Sequence, residues 1–230
     1  QAYGKPLVKT REYVDIVRQV LRRQSPVASD GPAYPLPLPA PQGTGLGRPL
    51  RSTVHPLRPD LPIHLAAEGP KNVALAAEIA DGWLPLYYSP FRQDVYADYL
   101  KDAKPGFEVT AMANITITDD IEAGLYPVKA ALGFYIGGMG AKGKNFHTDL
   151  MARMGYEDEA YRIQDLFFEG KRDEAIALVP TEFADEISLV GPPGRIKERL
   201  EVWKDSPVTT VTMYPSSPDQ LRQAAEIILS

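Results

Sequence analysis

Residues 61–88 read LPIHLAAEGPKNVALAAEIADGWLPLYY, and their pattern predicts the fold. The short apolar run at 61–67 is typical of a buried strand. It is followed by Glu68-Gly69-Pro70, which predicts a turn with proline at the first helical position, where a missing N–H is tolerated. Residues 71–80 are expected to form that helix, and residues 82–87 a second strand. A strand, a helix and a strand in this order favour a βαβ unit with parallel strands.

The same alternation continues on both sides of this unit. Four strands in total make half of an eight-stranded barrel, and four parallel strands alone cannot close one. The predicted fold class is therefore α/β, with either an open sheet or a (β/α)8 barrel whose first strands are missing. The further elements that apolar spacing predicts are helices at 11–23 (capped by Thr10), 90–100, 192–203 and 221–228 (capped by Ser217), and strands at 107–116 and 208–213.

Two long segments interrupt the alternation. Ten prolines between residues 25 and 62 predict an extended excursion rather than a packed helix. Residues 119–187 read as several helices, a stretch far longer than an ordinary crossover connection. We expect this stretch to be a helical insertion carried by one barrel loop, within a single domain over residues 1–230.

Composition and charge exclude several classes of function. A formal net charge of −5 argues against binding to nucleic acid or to an anionic membrane surface. The absence of cysteine excludes disulfides, thiolate metal sites and a cysteine nucleophile. No apolar run approaches the roughly 20 residues that span a bilayer, and the first residues lack a signal-peptide pattern. We therefore expect a cytoplasmic protein whose partner is a small molecule or another protein subunit.

The segment Leu65-Ala66-Ala67-Glu68-Gly69-Pro70-Lys71-Asn72 is the strongest candidate for a binding site. Small residues end a strand and lead into a helix N-terminus, where unpaired amides and the helix dipole suit a phosphate group. Lys71 could add a positive charge. A plain tight turn between strand and helix explains the same residues equally well. Glu68 counts against phosphate binding unless its side chain turns away.

Residues 138–145, GMGAKGKN, nearly match the nucleotide-binding P-loop. Asn145 stands where a Ser or Thr hydroxyl would bind magnesium, and the residues before Gly138 are expected to be helical instead of a strand. A glycine-rich loop that joins two helices is therefore the better prediction.

The three histidines, His55, His64 and His147, are scattered along the chain. They show no H-E-x-x-H motif or comparable ligand spacing. We therefore predict no metal site.

Several segments resemble the bacterial luciferase-like oxidoreductases. They are similar above all to the mycobacterial and actinobacterial branch, which uses the deazaflavin coenzyme F-420. The resemblance extends over nearly the whole chain. The segments that carry it are 62–72 (PIHLAAEGPKN), 80–85 (ADGWLP), 135–146 (YIGGMGAKGKNF) and 189–192 (LVGP).

This resemblance implies a (β/α)8 barrel with the cofactor at the carboxyl ends of the strands. It also implies that Ala66-Ala67-Glu68-Gly69-Pro70 hold the phosphate of F-420 and that Pro85-Leu86-Tyr87 flank it from the next strand. The implied activity is hydride transfer between F-420 and an organic substrate that the sequence does not identify. In the family, the first strands and the groups that usually assist hydride transfer precede the matching part, so no catalytic residue is assigned. Glu68 departs from the family pattern, which has a small or apolar residue there.

Three other functions stay open at this point. The first is an FMN-dependent luciferase-like monooxygenase, because FMN presents a phosphate to the same kind of turn. The second is an inactive or truncated barrel fragment that persists through subunit association. The third is a P-loop nucleotide hydrolase that uses residues 138–144. For the oxidoreductase, we expect a homodimer or a higher homo-oligomer.

Overall fold

The structure, a computed structural model, describes residues 4–229, which contain five parallel strands and ten α-helices. Residues 1–3 and 230 of the predicted domain lie outside this part. The strands are β1 (His64–Ala66), β2 (Gly82–Leu84), β3 (Glu108–Ile117), β4 (Ser188–Gly191) and β5 (Thr210–Tyr214). The helices are α1 (Pro6–Arg22), α2 (Pro70–Ile79), α3 (Asp94–Leu100), α4 (Ile121–Gly138), α5 (Phe146–Arg153), α6 (Glu157–Phe168), α7 (Arg172–Ala177), α8 (Thr181–Glu186), α9 (Pro193–Lys204) and α10 (Pro218–Leu229).

The central βαβ unit is present as predicted. β1 and β2 pair in parallel, and α2 connects them with Pro70 at its first position. Both strands are shorter than predicted, because Pro62 has no amide N–H to pair and Pro85 ends β2. Asp81 closes the unit: its amide donates to the carbonyl of Ile63, and its carboxylate accepts the Ile63 amide.

The sheet contains one strand more than predicted. β4 is only four residues long and lies directly between α8 and the prolines that begin α9, so its apolar run does not stand out in the sequence. The prediction of four strands was therefore wrong. Asn114 of β3 pairs with both Ser188 and Tyr214, which places β4 and β5 on opposite edges of β3. Within residues 4–229 the sheet does not close into a barrel.

The two faces of the sheet differ in their surroundings. On β3, Val109, Ala111, Ala113 and Ile115 are buried against the helices. Because successive side chains of a strand point to opposite faces, the residues between these four lie on the other face. Met112 on that face is 37% exposed. This second face is open in the described part of the chain.

Two predicted helix boundaries were wrong. α1 begins at Pro6 and not at residue 11, because Lys5 is extended and Pro6 already has the backbone angle of a first helical turn. Thr10 therefore lies inside the helix and does not cap it. The helix predicted at 90–100 divides into a 3₁₀ turn, Pro90–Arg92, and α3. Ser89 Oγ accepts the amide of Phe91 and so caps the turn.

The proline-rich excursion and the long helical stretch both appear in the structure. Residues 23–63 contain isolated bridges and no strand or helix. Residues 119–187 contain α4 to α8. Their description as one insertion within a single barrel domain stays a prediction. In the described part of the chain, no helix is both long and apolar enough to cross a membrane.

Candidate functional site

A pocket of about 610 Å³ opens at the carboxyl ends of the strands, on the open face of the sheet. Its volume is within the range of small-molecule sites, about 300–1,000 Å³. The strands contribute mainly apolar side chains, among them Leu84, Met112 and Tyr214. The loop between β1 and α2 forms one wall, and the first turn of α5 contributes Phe146 and His147.

The structure brings together most of the predicted cofactor-binding residues. Six of the nine line the pocket, namely Ala66, Ala67, Glu68, Gly69, Pro85 and Leu86. Pro70 is the first residue of α2, and Tyr87 packs against His147 next to the pocket wall. Lys71 does not reach the pocket.

The N-terminus of α2 faces the pocket with unused backbone donors. The carbonyl of Gly69 accepts the amides of Asn72 and Val73, and no side chain caps the helix. Within residues 4–229, the amides of Gly69 and Lys71 have no acceptor from the protein. Free amides at the positive end of a helix dipole form an anion site.

Trp83 fixes the loop that leads to this helix. Its indole Nε1 donates to the carbonyl of Ala67 over 2.8 Å, and the ring is fully buried against Tyr88 and Tyr96. This hydrogen bond occupies the carbonyl of Ala67 and ties the loop to the buried core.

Gly69 keeps the pocket wall thin. Its φ angle is −69°, which any residue adopts, and a Cβ placed there would meet only the Phe146 ring at 4.0 Å. The protein's own packing does not require glycine at this position. A ligand that approaches the backbone closely would require it.

Lys71 lies on the opposite side of α2. It lines a groove between α1 and α2 together with Arg11 and Glu78. Its predicted role as the cation of the phosphate site therefore has no geometric support and stays a prediction.

The side chain of Glu68 turns toward α5. Its Oε2 lies 2.8 Å from Nδ1 of His147, and the two side chains are 13% and 17% exposed. Tyr135 and Tyr87 hold the imidazole edge-to-face, with ring centroids 5.1 Å and 6.2 Å away. Sequence reasoning treated His147 as one of three scattered histidines, because no local motif links residues so far apart in the chain.

Tyr87 adopts an unusual backbone conformation beside this pair. Its φ angle is +56°, in the left-handed region that residues with a Cβ rarely adopt. Burial raises the pKa of its phenol well above the ordinary value, and the neighbouring Tyr135 and Glu68 act in the same direction. Tyr87 is therefore a neutral aromatic residue next to the pocket wall, held in a conformation that costs about 1 kcal/mol or more.

The glycine-rich segment 138–144 joins α4 to α5, as predicted, and it does not form a P-loop. The helix α4 precedes it, where a P-loop needs a strand. Asn145 caps α5 by accepting the amide of His147, and its Nδ2 donates to the carbonyls of Tyr135 and Ile136. Lys142 pairs with Asp165. The preceding helix and the use of Asn145 as a helix cap argue against the nucleotide hydrolase hypothesis.

Parallel strands that alternate with helices, with a pocket at the carboxyl ends of the strands, define a parallel α/β protein and are typical of the (β/α)8-barrel type. Comparison with known sequences gives the family. The chain belongs to the luciferase-like monooxygenase family, whose sequence profile matches residues 1–210.

Individual relatives agree with this assignment. The chain is 46% identical over 237 residues to a protein of Mycobacterium tuberculosis that is provisionally named a coenzyme F-420-dependent oxidoreductase. This match covers 99% of the chain and 68% of the relative. Its fold is similar to that of the F-420-dependent tetrahydromethanopterin reductase from Methanopyrus kandleri, with a TM-score of 0.62, 22% identity, and coverage of 97% and 61% of the two chains.

A second solved structure is similar to the same degree. It is an F-420-dependent secondary alcohol dehydrogenase in complex with an F-420–acetone adduct, with a TM-score of 0.62 and 17% identity. The match covers 99% of this chain and 61% of that one. The chain thus spans about two thirds of the curated relative and about three fifths of the solved chains.

Proposed function

We propose that this chain is the cofactor-binding part of an oxidoreductase that transfers hydride between coenzyme F-420 and an organic substrate. The observation that carries the proposal is the wall formed by Ala66, Ala67 and Gly69, with the free amides of α2 behind it. The 46% identity to a protein named for this cofactor supports the choice of F-420.

The residues present fit a phosphate-bearing cofactor. A phosphate needs close approach to backbone donors, and the small side chains of the β1–α2 loop allow that approach. The carboxylate of Glu68 is directed at His147, so it does not stand unpaired in the anion site. Leu84, Leu86 and Met112 offer apolar surface for a flat ring system.

The bound deazaflavin supplies the hydride chemistry, and the protein supplies binding and orientation. The loop after β1 would hold the phosphate end, and Pro85 and Leu86, which line the same pocket, would flank it. The apolar strand ends exclude water from one side of the pocket. No residue of this chain is assigned as a catalytic acid or base for the transfer.

The direct experiment is a fluorescence titration of the purified chain with F-420 and, separately, with FMN. Saturable binding of F-420 that is at least about tenfold tighter than that of FMN is the expected result, in line with the named relative. Absence of saturable F-420 binding at millimolar concentration would remove the proposal for this chain.

A second candidate is an FMN-dependent monooxygenase of the same fold. The family profile, which is named for luciferase-like monooxygenases, favours it, and FMN also presents a phosphate. Tighter binding of FMN in the same titration, together with a yellow protein on purification, would favour this function over the first.

A homo-oligomer in the cytoplasm, expected from the sequence, stays a prediction. Exposed apolar side chains on the open sheet face, such as Tyr214 at 54% and Met112 at 37%, are consistent with a covered surface. Light scattering coupled to size exclusion would give the mass of the assembly.

A further inference from the structure

Glu68 and His147 form an isolated pair in the pocket wall. Their buried atoms Oε2 and Nδ1 lie 2.8 Å apart, and within the described residues neither atom has another partner. Two bare acceptors would repel each other at this distance, so the contact requires a proton between them. With that proton on Nδ1, the protonation of Nε2 decides whether the imidazole ring is neutral or cationic.

The ring of His147 is fixed in this place. The edge-to-face contacts with Tyr87 and Tyr135 hold it from two sides, and its backbone amide is bound by the Asn145 cap. A fixed ring that lines the pocket can contact a ligand without a large loss of side-chain entropy.

An anion at the β1–α2 loop would lie close to the carboxylate of Glu68, and a positive charge nearby would offset the repulsion between the two negative charges. Lys71 points into the groove between α1 and α2. Arg153 donates to the backbone carbonyl of Glu68 over 3.0 Å, but it does not line the pocket. Among the side chains that line the pocket, His147 is the one that can become cationic.

We propose that His147, held by Glu68, is the cationic group that binds the cofactor's phosphate. The assignment rests on the proposed function. The imidazolium donates its Nε2–H to a phosphate oxygen. Its Nδ1–H donates to the Glu68 carboxylate, which balances the charge of the ring. His147 would thus supply the positive charge that the sequence analysis expects from Lys71.

The proposal makes phosphate binding depend on pH. The charged and titratable groups around His147 are Glu68 on the loop, Tyr87 after β2, Tyr135 on α4, and Asp149 and Arg153 on α5. Tyr87 remains neutral because burial raises its pKa. As pH rises, a deprotonated His147 leaves the charge of Glu68 uncompensated beside the phosphate, and affinity falls.

The test compares F-420 with the same deazaflavin riboside lacking the phosphate. Dissociation constants are measured by fluorescence for the wild type, His147→Gln and the control His55→Gln, whose histidine is exposed in the 23–63 segment. In His147→Gln, F-420 should bind about tenfold more weakly, and the phosphate-free compound should change less than about twofold. The His55→Gln variant should bind both as the wild type does.

A second measurement needs no variant. In the wild type, the preference for F-420 over the phosphate-free compound should fall as the pH is raised, because a neutral ring has no Nε2–H to donate when Nδ1–H faces Glu68. An equal loss for both compounds in His147→Gln, or a preference that is independent of pH, would overturn the proposal while leaving F-420 binding intact. A wild type that binds neither compound would overturn the proposed function and this inference together.

Discussion

Gly69 is the N-cap of α2 and occupies a position where the fold itself would accept a larger residue. Its backbone angle is ordinary and the space for a Cβ is free. The sequence could predict a tight turn here, and it left phosphate binding and simple turn geometry equally open. The structure shows that the amides of Gly69 and Lys71 are free and that a pocket lies beside them. Neither feature can be predicted from the sequence.

The change Gly69→Ala separates these two explanations. Folding stability should change by less than about 1 kcal/mol, because alanine restricts the unfolded chain but is a poorer N-cap than glycine. F-420 affinity should fall about tenfold, because the added methyl group occupies the approach to the amides. Urea unfolding and fluorescence titration measure the two effects.

Gly194→Ala is the matched control. Gly194 lies in the first turn of another helix, α9, where it likewise has free space for a Cβ, and it is outside the pocket. It should leave F-420 affinity unchanged. Equal affinities for the Gly69→Ala variant and the wild type would contradict the phosphate site.

Asp81 joins four segments around the central βαβ unit. Its carboxylate accepts the Ile63 amide at 2.9 Å, pairs with Arg18 of α1 at 2.9 Å and contacts Lys104. Burial opposes its charge, but Lys104, the Ile63 amide and Arg18 outweigh burial and hold the pKa of Asp81 below the ordinary value of 3.8.

The change Asp81→Asn should lower the free energy of unfolding by about 1–2 kcal/mol at pH 7. Since the folded-state pKa is depressed, the charged carboxylate contributes fully above the ordinary value and loses its contribution as pH falls below it. The difference between wild type and variant should therefore shrink at about pH 2.5. Urea unfolding at both pH values measures it, and a difference that is constant with pH would contradict this account.

At the scale of elements, Arg92 joins the loop after β2 to the helical stretch. Its guanidinium contacts the Glu186 carboxylate at 2.7 Å and 2.9 Å and donates to the carbonyl of Met154 at 2.9 Å. Ser89 donates to the same carboxylate. The glutamate side chain is 9% exposed, so its charge depends on this bidentate partner.

The change Arg92→Lys should lower the free energy of unfolding by about 2 kcal/mol, because lysine cannot replace the two parallel hydrogen bonds. Arg222→Lys is the control, since Arg222 forms an exposed pair with Asp219. This control should change stability by less than about 0.5 kcal/mol. Equal losses of unfolding free energy in the two variants would show that the Arg92 contacts do not stabilise the packing of the loop after β2 against the helical stretch.

The sequence predicted elements well where apolar periodicity was long. The strand β3 and the helices α2, α9 and α10 lie close to their predicted bounds. It failed at β4, which is four residues long, and at the start of α1, where Pro6 sets the boundary. These features depend on strand pairing and on local backbone angles, and neither leaves a periodic signal.

At the scale of the whole molecule, the pocket combines segments that are distant in the sequence. Loop residues 66–69, the end of β2 and the start of α5 meet only because the parallel strands end at one edge and the helical stretch returns to it. The sequence could therefore predict the loop, but it could not predict the pairing of Glu68 with His147.

We expect F-420 to bind at the backbone amides where α2 begins. Amide nitrogen–proton NMR of the isotope-labelled chain, recorded during a titration with F-420, tests this claim. Saturable binding with the largest shifts at Gly69 and Lys71 is the predicted result. No saturable binding, or shifts confined to the groove between α1 and α2 or to residues 138–144, would contradict it.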